Sequence, residues 1–352
     1  MNPLWSNLVA NLDPYVAGEQ PKDKVYVKLN TNENPYPPSP KVMEAISQVG
    51  GDGLRLYPDP DATSLKQAIG EFFGLDESWV FVGNGSDEVL GFAFAAFFKQ
   101  QKPLYFPNIT YSFYPSYCRF FEIDYRQFPL DESWQIQFNN LDGQPGGIIF
   151  PNPNAPTGLL LPLAQIEAVL QQYDDIVIIV DEAYIDFGGE SAAALVHRYE
   201  NLLVVQTCSK SRSLAGLRVG YAVGNPGLVQ ALERVKNSFN AYPLDALAIA
   251  GATASFHDRV YFEQCSKRVI DTREWFMEQL QALAFMVLPS KANFVFAQPT
   301  TMPANELGLT LRDQGFLVRY FNKPGIDQFL RISIGTQEEM EALVTCLQGI
   351  LK

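Results

Sequence analysis

This sequence of 352 residues is poor in the features that mark several protein classes. It contains two histidines and four cysteines, and the cysteines form no CxxC pair, which argues against a zinc site and a disulfide framework. Basic residues are few as well: 26 Lys and Arg stand against 39 Asp and Glu, which makes the net charge −13. Nucleic acids and anionic membranes need basic patches, so neither is expected as a partner, although a few local arginines would still suit a phosphorylated small molecule.

Long apolar runs are also missing. The most apolar stretch, VLGFAFAAFF, has about half the length that a membrane span needs. The first residues, MNPLWSNLVANLDPY, do not show the basic and apolar segments of a secretory signal. His197 and His257 have no neighbours at metal-ligand spacing, so we predict no metal site. We expect a cytoplasmic protein with reduced thiols.

Strand and helix patterns alternate from about residue 63. Typical strand patterns are WVFVG, PLYFP, GGIIFP, IVIIVDEAY, LLVVQTCS and LRVGYAVG, and helical stretches such as TSLKQAIGEFFG and SDEVLGFAFAAFFKQ lie between most of them. This alternation predicts an α/β fold with a mainly parallel sheet flanked by helices. After about residue 245, a long helical stretch is followed by short strands and a closing helix, which predicts a smaller α+β domain.

The predicted division therefore has three parts. Residues 1–45 form an N-terminal arm and part of the small domain, 46–245 the large domain, and 246–352 the small C-terminal domain. Within the first part, LNTNENPYPPSP is too broken for a regular element.

Two reactive side chains follow apolar runs that are typical of buried parallel strands. Asp181 comes directly after IVIIV, and Lys210 follows LLVVQTCS. In an open α/β sheet, residues at the carboxyl ends of strands face the ligand crevice. A lysine that captures an aldehyde and a carboxylate that keeps a ring nitrogen protonated suit pyridoxal 5′-phosphate. Taken alone, Lys210 would more often be a solvated surface lysine. Taken alone, Asp181 could hold a metal beside a phosphate-binding loop, but the motif of such a loop, GxxxxGK[ST], does not occur.

Two further residues lie at useful distances from this pair. Tyr184 is three residues beyond Asp181, where its hydroxyl would reach the phenolic oxygen of the cofactor ring. Arg218 is eight residues beyond Lys210, and its guanidinium is able to give two parallel hydrogen bonds to a phosphate.

The segment GNGSDE, residues 83–88, joins a predicted strand to a predicted helix. Glycines allow close backbone approach, and the amides at a helix start form an anion site. We therefore place the cofactor phosphate on Ser86 and on the backbone of Ser86 and Asp87. The segment begins like GxGxxG, but Glu88 occupies the last position, which disfavours a dinucleotide site.

Other candidates are less specific. Tyr111, in PNITYSFY, would stack on the cofactor ring or belong to the core. The turn PNPNAPTG, residues 151–158, carries Asn154 among polar side chains that would reach a ligand. Arg319 and Arg331 lie inside apolar strand patterns, and two arginines that converge on one pocket would bind a carboxylate or a phosphate.

Together these motifs resemble the fold-type I aminotransferases, which are pyridoxal-phosphate enzymes, and most closely the histidinol-phosphate aminotransferases of class II. The resemblance runs in order along nearly the whole chain. Its segments are NLDPY (11–15), KLNTNENPYPPSP (28–40), LYPDP (56–60), GNGSDE (83–88), PNITYSFY (107–114), NPNAPTG (152–158), DEAYIDF (181–187), TCSKSRSLAGLRVGY (207–221), AYPL (241–244) and FLRISIGT (329–336).

The resemblance implies a role for each candidate. Lys210 would form the internal aldimine and then move the proton, with Asp181 on the ring nitrogen, Tyr184 on the phenolic oxygen and Tyr111 stacked on the ring. The residues around the phosphate would be Gly85, Ser86, Asp87, Thr207, Ser209 and Arg218. Tyr57 would reach the phosphate region of the neighbouring subunit's site, which implies a homodimer. The substrate pocket would consist of Tyr15, Asn32, Tyr57, Arg319 and Arg331.

One position departs from the family pattern. The family's usual loop reads NNPTG, with its second asparagine near the phenolic oxygen, and that position is Ala155 here. Its neighbour Asn154 is retained as a cofactor residue.

The implied activity is ping-pong exchange of an amino group in histidine biosynthesis. L-histidinol phosphate and 2-oxoglutarate would be interconverted with imidazole-acetol phosphate and L-glutamate. Three alternatives stay open: a transaminase of aromatic amino acids, a threonine-phosphate decarboxylase, and a non-catalytic protein on the same scaffold. The presence of Lys210, together with Asp181 and Arg218 at the spacing of the family pattern, argues against a non-catalytic protein.

Overall fold

The computed structural model describes residues 4–10, 12, 18–139 and 141–351. The strands are β1 (Val27–Leu29), β2 (Val80–Asn84), β3 (Leu104–Pro107), β4 (Tyr125–Phe128), β5 (Gly147–Pro151), β6 (Ile178–Asp181), β7 (Leu202–Thr207), β8 (Val219–Gly224), β9 (Phe285–Val287), β10 (Phe294–Pro299), β11 (Phe316–Tyr320) and β12 (Leu330–Ser333). The helices are α1 (Asn7–Ala10), α2 (Pro40–Gln48), α3 (Gly50–Arg55), α4 (Thr63–Phe73), α5 (Gly85–Ala93), α6 (Tyr114–Phe121), α7 (Leu163–Gln172), α8 (Pro226–Phe239), α9 (Ala246–His257), α10 (Arg259–Ala282), α11 (Ala304–Asp313) and α12 (Gln337–Ile350).

The larger sheet has seven strands in the order β2-β8-β7-β6-β5-β3-β4. Strands β7, β6, β5, β3 and β4 are mutually parallel, and β8 runs antiparallel to both of its neighbours. The connection from β7 to β8, residues 208–218, is too short for the helical crossover that a parallel pair requires. The predicted α/β fold with a mainly parallel sheet is therefore confirmed, with one antiparallel strand inside it.

Both faces of this sheet are buried, which explains its continuous apolar strands. In β6, Ile178 and Val180 pack into the apolar cluster on one face, and Ile179 packs into the cluster on the other. Asp181 ends the strand at 5% exposure, so the polar side chain appears where the apolar run stops.

The smaller sheet has five strands in the order β1-β11-β12-β10-β9. Strand β1, which the sequence did not predict, pairs parallel with β11, so the N-terminal segment is part of this sheet. Helices α10 and α12 cover it with an apolar cluster that includes Phe276 and Leu347. The predicted long helix, short strands and closing helix of the C-terminal part are all present.

Helix α9 packs with the larger sheet. Its residues Ala248, Ile249, Ala252 and Phe256 belong to the same apolar cluster as the β6 side chains Ile178 and Val180. The domain boundary near residue 245 stays a prediction. Within the described residues, no helix has both the length and the apolar character needed to cross a membrane.

Candidate active site

A cavity of about 330 Å³ opens at the edge of the larger sheet where β2, β5, β6 and β7 end and β8 begins. Ligands bind at this edge in open α/β sheets, and the volume is typical of a small-molecule site. The smaller sheet closes the other side. The predicted residues that line the cavity are Asn32, Ser86, Asp87, Tyr111, Asp181, Tyr184, Thr207, Ser209, Lys210, Arg218, Arg319 and Arg331.

Asp181 is a buried carboxylate at the end of β6. Its Oδ2 accepts a hydrogen bond from the Tyr114 hydroxyl at 2.9 Å, and its Oδ1 accepts one from the Ala183 amide at 3.3 Å. Burial raises the pKa of Asp181 to about 6, because neither of these partners brings a compensating positive charge. Burial and the neighbouring Asp181 raise the pKa of Tyr114 well above its usual range, so Tyr114 remains a donor.

Lys210 reaches into the cavity from the connection after β7. Its Nζ donates to the Thr31 carbonyl at 3.0 Å, and burial, followed by the positive charge of Arg331, lowers its pKa to about 8. The backbone carbonyl of Lys210 accepts a hydrogen bond from Asn34 Nδ2 at 3.0 Å. An amine with this pKa is partly unprotonated near neutral pH, as a nucleophile and proton carrier requires.

The start of α5 and the start of β8 form a tight cradle. Gly85 has φ +77°, and a Cβ there would lie 2.5 Å from Arg218 Nη2. A Cβ on Gly220 would lie 2.2 Å from the Ser86 amide nitrogen. Only glycine fits at both positions, so the backbone of β8 packs directly on the helix start. Backbone amides at a helix start, together with the guanidinium of Arg218, suit a phosphate.

Asp87 organises this cradle through its side chain. Its Oδ1 accepts from the Tyr111 hydroxyl at 3.0 Å, and its Oδ2 accepts from Arg218 Nη2 at 3.0 Å. Its backbone carbonyl accepts from the Tyr117 hydroxyl at 2.8 Å. The carboxylate therefore fixes the ring of Tyr111 and the guanidinium of Arg218 in the cavity wall.

Thr207 and Ser209 complete the polar wall beside the cradle. Thr207 Oγ1 donates to Ser209 Oγ at 3.0 Å and accepts from the Ser209 amide at 3.1 Å. Both side chains are buried and line the cavity, so their hydroxyls are held in place before a ligand arrives.

Asn32 links the two sheets at the cavity. Its φ is +57°, a left-handed conformation that asparagine tolerates better than most residues. The Asn32 amide donates to Ser333 Oγ at 2.9 Å, and Asn32 Nδ2 donates to the Tyr184 hydroxyl at 3.1 Å. The carbonyl of Asn32 accepts from Asn293 Nδ2 at 2.9 Å. These contacts fix the position of the Tyr184 hydroxyl.

Arg319 on β11 stands directly opposite Arg331 on β12. Like charges in directly opposed positions destabilise a sheet, so this pair indicates a site for an anion. Arg331 Nη2 donates to the Asn30 carbonyl at 3.1 Å, and both guanidinium groups lie 5.5 Å from the centre of the Phe321 ring. The pair gives the cavity a cationic wall on the side formed by the smaller sheet.

Among the described residues, three that were predicted for the site do not line this cavity: Gly85, Tyr57 and Asn154. Tyr15 lies outside the described residues. Tyr57 is 82% exposed and lies outside the described cavity lining of its own chain. Asn154 is buried, and its Nδ2 donates to the Ile109 carbonyl and to Thr157 Oγ1, so it braces the loop while Ala155 lines the cavity. This geometry does not support a contact between Asn154 and the cofactor.

Sequence reasoning did not find several residues of the site. Tyr114 contacts Asp181 from the first turn of α6, and Thr31 accepts from Lys210. Lys323 lines the cavity and donates to the Asn108 carbonyl at 2.7 Å. In the sequence, the only indication of Tyr114 was the spacing of PNITYSFY, in which a second tyrosine follows Tyr111 by three residues. Lys323 lies in a polar turn, and no sequence pattern there indicates a ligand contact.

Comparison with known proteins gives a consistent result. The family model for aminotransferase class I and II matches residues 24–347. Histidinol-phosphate aminotransferase 1 of Methylococcus capsulatus is 58% identical over 351 residues, which cover 100% of this chain and 98% of that protein. The histidinol-phosphate aminotransferase of Pseudomonas putida is 58% identical over 347 residues, which cover 99% of this chain and 100% of that one.

A solved structure shares the fold at lower identity. The crystal structure of histidinol-phosphate aminotransferase from Sinorhizobium meliloti in complex with pyridoxal-5′-phosphate has a TM-score of 0.88 and 23% sequence identity. The match covers 99% of this chain and 98% of that chain.

Proposed function

Since the chain belongs to the class I and II aminotransferase family, we propose that it transfers an amino group between L-histidinol phosphate and 2-oxoglutarate. The products are imidazole-acetol phosphate and L-glutamate. The observation that carries this proposal is the 58% identity, over the full chain, to relatives named for that activity. The cavity provides groups that match each part of the reaction.

The residues fit pyridoxal 5′-phosphate as the cofactor. Asp181 is buried beside neutral hydrogen-bond partners, so a protonated ring nitrogen would supply the positive charge that it lacks in the described structure. The helix start at Ser86, with Arg218 and the hydroxyls of Thr207 and Ser209, would hold the phosphate. Pyridoxal 5′-phosphate, when bound, supplies an electron sink for the negative charge that develops at the substrate Cα.

The chain's own groups then have distinct tasks. Lys210, with its pKa near 8, would take the proton from the substrate Cα and deliver it to C4′ of the cofactor, the carbon bonded to the transferred nitrogen. Asp181 stabilises positive charge on the ring nitrogen. Asn32 orients the Tyr184 hydroxyl toward the cavity, and Tyr111, held by Asp87, forms the face against which a ring packs.

The opposed arginines explain how one pocket serves two substrates in turn. The phosphate of histidinol phosphate and the distal carboxylate of glutamate are both anions that guanidinium groups bind by paired hydrogen bonds. Arg319 and Arg331 therefore act as a common anion site.

Turnover with competing substrates tests the proposed activity. With 2-oxoglutarate as acceptor, we expect kcat/KM for histidinol phosphate to exceed that for phenylalanine by about 100-fold or more, because phenylalanine offers the arginine pair only a singly charged α-carboxylate in place of a phosphate. Equal values for the two amines would favour a transaminase of aromatic amino acids. Release of CO2 from threonine phosphate would favour the decarboxylase.

We also propose a homodimer in which each subunit completes the other's site. Tyr57 lies far more exposed than most tyrosines, at 82%, in a region where Leu54, Leu56 and Phe239 are also exposed apolar side chains. An apolar patch of this kind is typical of a protein interface. The partner subunit's cofactor phosphate would be the target of the Tyr57 hydroxyl.

Hybrid dimers test this shared site. Tyr57→Ala and Lys210→Ala subunits with different affinity tags would be co-expressed, and the hybrid would be purified. The site that keeps Lys210 receives the intact Tyr57 of its partner, so we expect the hybrid to reach about half of wild-type kcat per dimer, since one of two symmetric sites is complete. Each parental homodimer should be much less active. A hybrid no more active than the mean of its parents would contradict the proposal.

The domain division belongs to the same proposal. A larger domain is built on the seven-stranded sheet, and a smaller one on the five-stranded sheet with the N-terminal strand β1. Because α9 packs against the larger sheet, we propose that the boundary lies near Asp258 rather than near residue 245, as the sequence had predicted. The cytoplasmic location expected from the sequence stays a prediction.

A further inference from the structure

A buried lysine outside the cavity lies beneath the loop that carries Tyr57. Lys236 in α8 is 2% exposed, and its Nζ donates to the Pro60 carbonyl at 2.9 Å. The same Nζ lies 2.8 Å from Glu233 Oε2 and 3.7 Å from Asp61 Oδ1. Lysine is rarely buried unless it is paired, and here one of its partners is a loop carbonyl. The contacts of this buried ammonium group therefore connect α8 to residues 60 and 61.

The loop itself has a defined conformation just beyond Tyr57. The Asp59 carboxylate accepts from the Asp61 amide at 3.0 Å and from the Thr63 amide at 2.8 Å. Ala62 has φ +48°, and its amide donates to the Asp59 carbonyl at 3.1 Å. These bonds make residues 59–63 a fixed turn that leads into α4. The Pro60 carbonyl is the point at which Lys236 attaches this turn to α8.

The same helix also supports the ring of Tyr57. The Tyr57 ring stacks on Tyr242, with centroids 4.7 Å apart and planes at 27°. Tyr242 follows α8 closely: the Asn240 amide donates to the Lys236 carbonyl at 2.8 Å, and Asn240 Oδ1 accepts from the Tyr242 amide at 3.2 Å. The side chain of Lys236 therefore holds the turn at Pro60. The backbone carbonyl of Lys236 holds the segment that carries Tyr242, on which the Tyr57 ring stacks.

We propose that Lys236 is a positioning residue for the reaction. Its ammonium group fixes the Pro60 carbonyl to α8, so that Tyr57 projects from the subunit at the angle required to enter the partner's cavity. This inference rests on the proposed function, because Tyr57 contributes to catalysis only if it reaches the site of a second copy of this chain. Lys236 acts in one subunit and its effect appears in the other.

Lys66 offers a matched control. Its Nζ lies 2.5 Å from Glu233 Oε1, and its side chain is 13% exposed, so it shares the same carboxylate and a similar environment. Its ion pair with Glu233 does not include the Pro60 carbonyl. An effect that arises from the charge of Glu233 would appear in Lys66→Met and Lys236→Met alike, whereas an effect on the loop would appear only in Lys236→Met.

Placement of the substitution within the hybrid dimer tests the proposal. The hybrid's working site uses Lys210 of the Tyr57→Ala subunit and Tyr57 of the Lys210→Ala subunit. With Lys236→Met in the subunit that donates Tyr57, we expect kcat/KM to fall about tenfold or more, because small displacements of a positioning group are costly. With Lys236→Met in the other subunit, and with Lys66→Met in either, we expect activity within about twofold of the parent hybrid.

A second measurement does not depend on turnover. In the Lys236→Met homodimer, the dissociation constant for pyridoxal 5′-phosphate, from absorbance titration of the cofactor-free protein, should rise about tenfold, as it should in Tyr57→Phe. In Lys66→Met it should not change. If Lys236→Met does not fold, Lys236→Arg, which keeps the charge but displaces the donor, takes its place in the same design.

The possible failures are distinguishable. A loss of activity that is equal for both placements of Lys236→Met would overturn the positioning role and leave the shared site intact. An equal loss from Lys66→Met would also overturn it and assign the effect to the Glu233 ion pair. A parent hybrid without recovered activity would overturn the shared site, and the role of Lys236 with it.

Discussion

Lys210→Ala is expected to lower kcat by about 10³-fold or more, since the substitution removes both the nucleophilic amine and the group that moves the proton. The environment of Lys210 is suited to these tasks. Burial and Arg331 lower its pKa to about 8, so the amine changes protonation close to neutral pH. The fold should survive, because the backbone around Lys210 is held by Asn34 rather than by the ammonium group.

Two measurements check this prediction. Steady-state turnover of histidinol phosphate gives kcat, and mass spectrometry after borohydride reduction shows whether the cofactor is attached to the chain. We expect attachment at Lys210 in the wild type and none in Lys210→Ala. Lys66→Ala, a partly buried lysine outside the cavity, serves as the control and should behave as the wild type in both assays. Turnover within tenfold of wild type in Lys210→Ala would contradict the catalytic role.

Asp181→Asn is expected to lower kcat by about 10²- to 10³-fold, the range typical of a lost electrostatic contact in a buried site. Asparagine has nearly the same volume and still accepts a hydrogen bond from Tyr114, so packing is preserved. What disappears is the negative charge, and with it the stabilisation of a protonated ring nitrogen. Turnover, together with the absorbance spectrum of the bound cofactor, measures both effects.

Glu182→Gln is the matched control for Asp181→Asn. Glu182 is the next residue and is equally buried, but its carboxylate accepts hydrogen bonds from Ser191, the Ala192 amide and Gln206. These partners lie outside the cavity lining, so Glu182→Gln should keep kcat within about threefold of wild type if the effect of Asp181 is electrostatic contact with the cofactor. A loss in Glu182→Gln equal to that in Asp181→Asn would assign both to general disruption of this loop.

Glu182 also predicts a pH dependence of stability. Burial raises the pKa of Glu182 to about 8 in the folded chain, above its ordinary value of 4.5, so the folded state binds the proton more tightly than the unfolded state. The free energy of unfolding should therefore fall as the pH rises from 4.5 to about 8, with a slope of up to about 1.4 kcal/mol per pH unit. Denaturant unfolding of cofactor-free protein should show a steeper decline with pH in the wild type than in Glu182→Gln, in which only the contribution of Asp181, whose pKa is raised to about 6, remains from this pair of carboxyl groups.

Some of the site was predictable because it depends on local sequence. An apolar, β-branched run that stops at a polar residue marks the end of a buried strand, and this pattern identified Asp181 and the segment before Lys210. The glycines before Ser86 marked a backbone conformation at a helix start. The direction of β8 was not predicted, because it depends on the short connection that follows β7.

Other contacts join residues that are distant in sequence. Asn32 meets Tyr184 and Ser333 only because β1 enters the smaller sheet. Arg319 and Arg331 were recognised as a pair of cations, but their directly opposed positions follow from the register of β11 and β12. Asn154 shows the converse: its type suggested a ligand contact, and the path of the loop turns its amide toward Ile109.

The sequence by itself determined the chemistry available to this protein: an amine and a carboxylate at strand ends, glycines at a helix start, and arginines in apolar strands. These features are local, because each depends on a residue and the few neighbours that set its backbone conformation. Only the tertiary structure decided which of these groups face one cavity, that Asn154 does not, and that Lys236 supports the loop of Tyr57. Strand register, the path of loops and burial set those contacts, and each arises from packing between segments far apart in the chain.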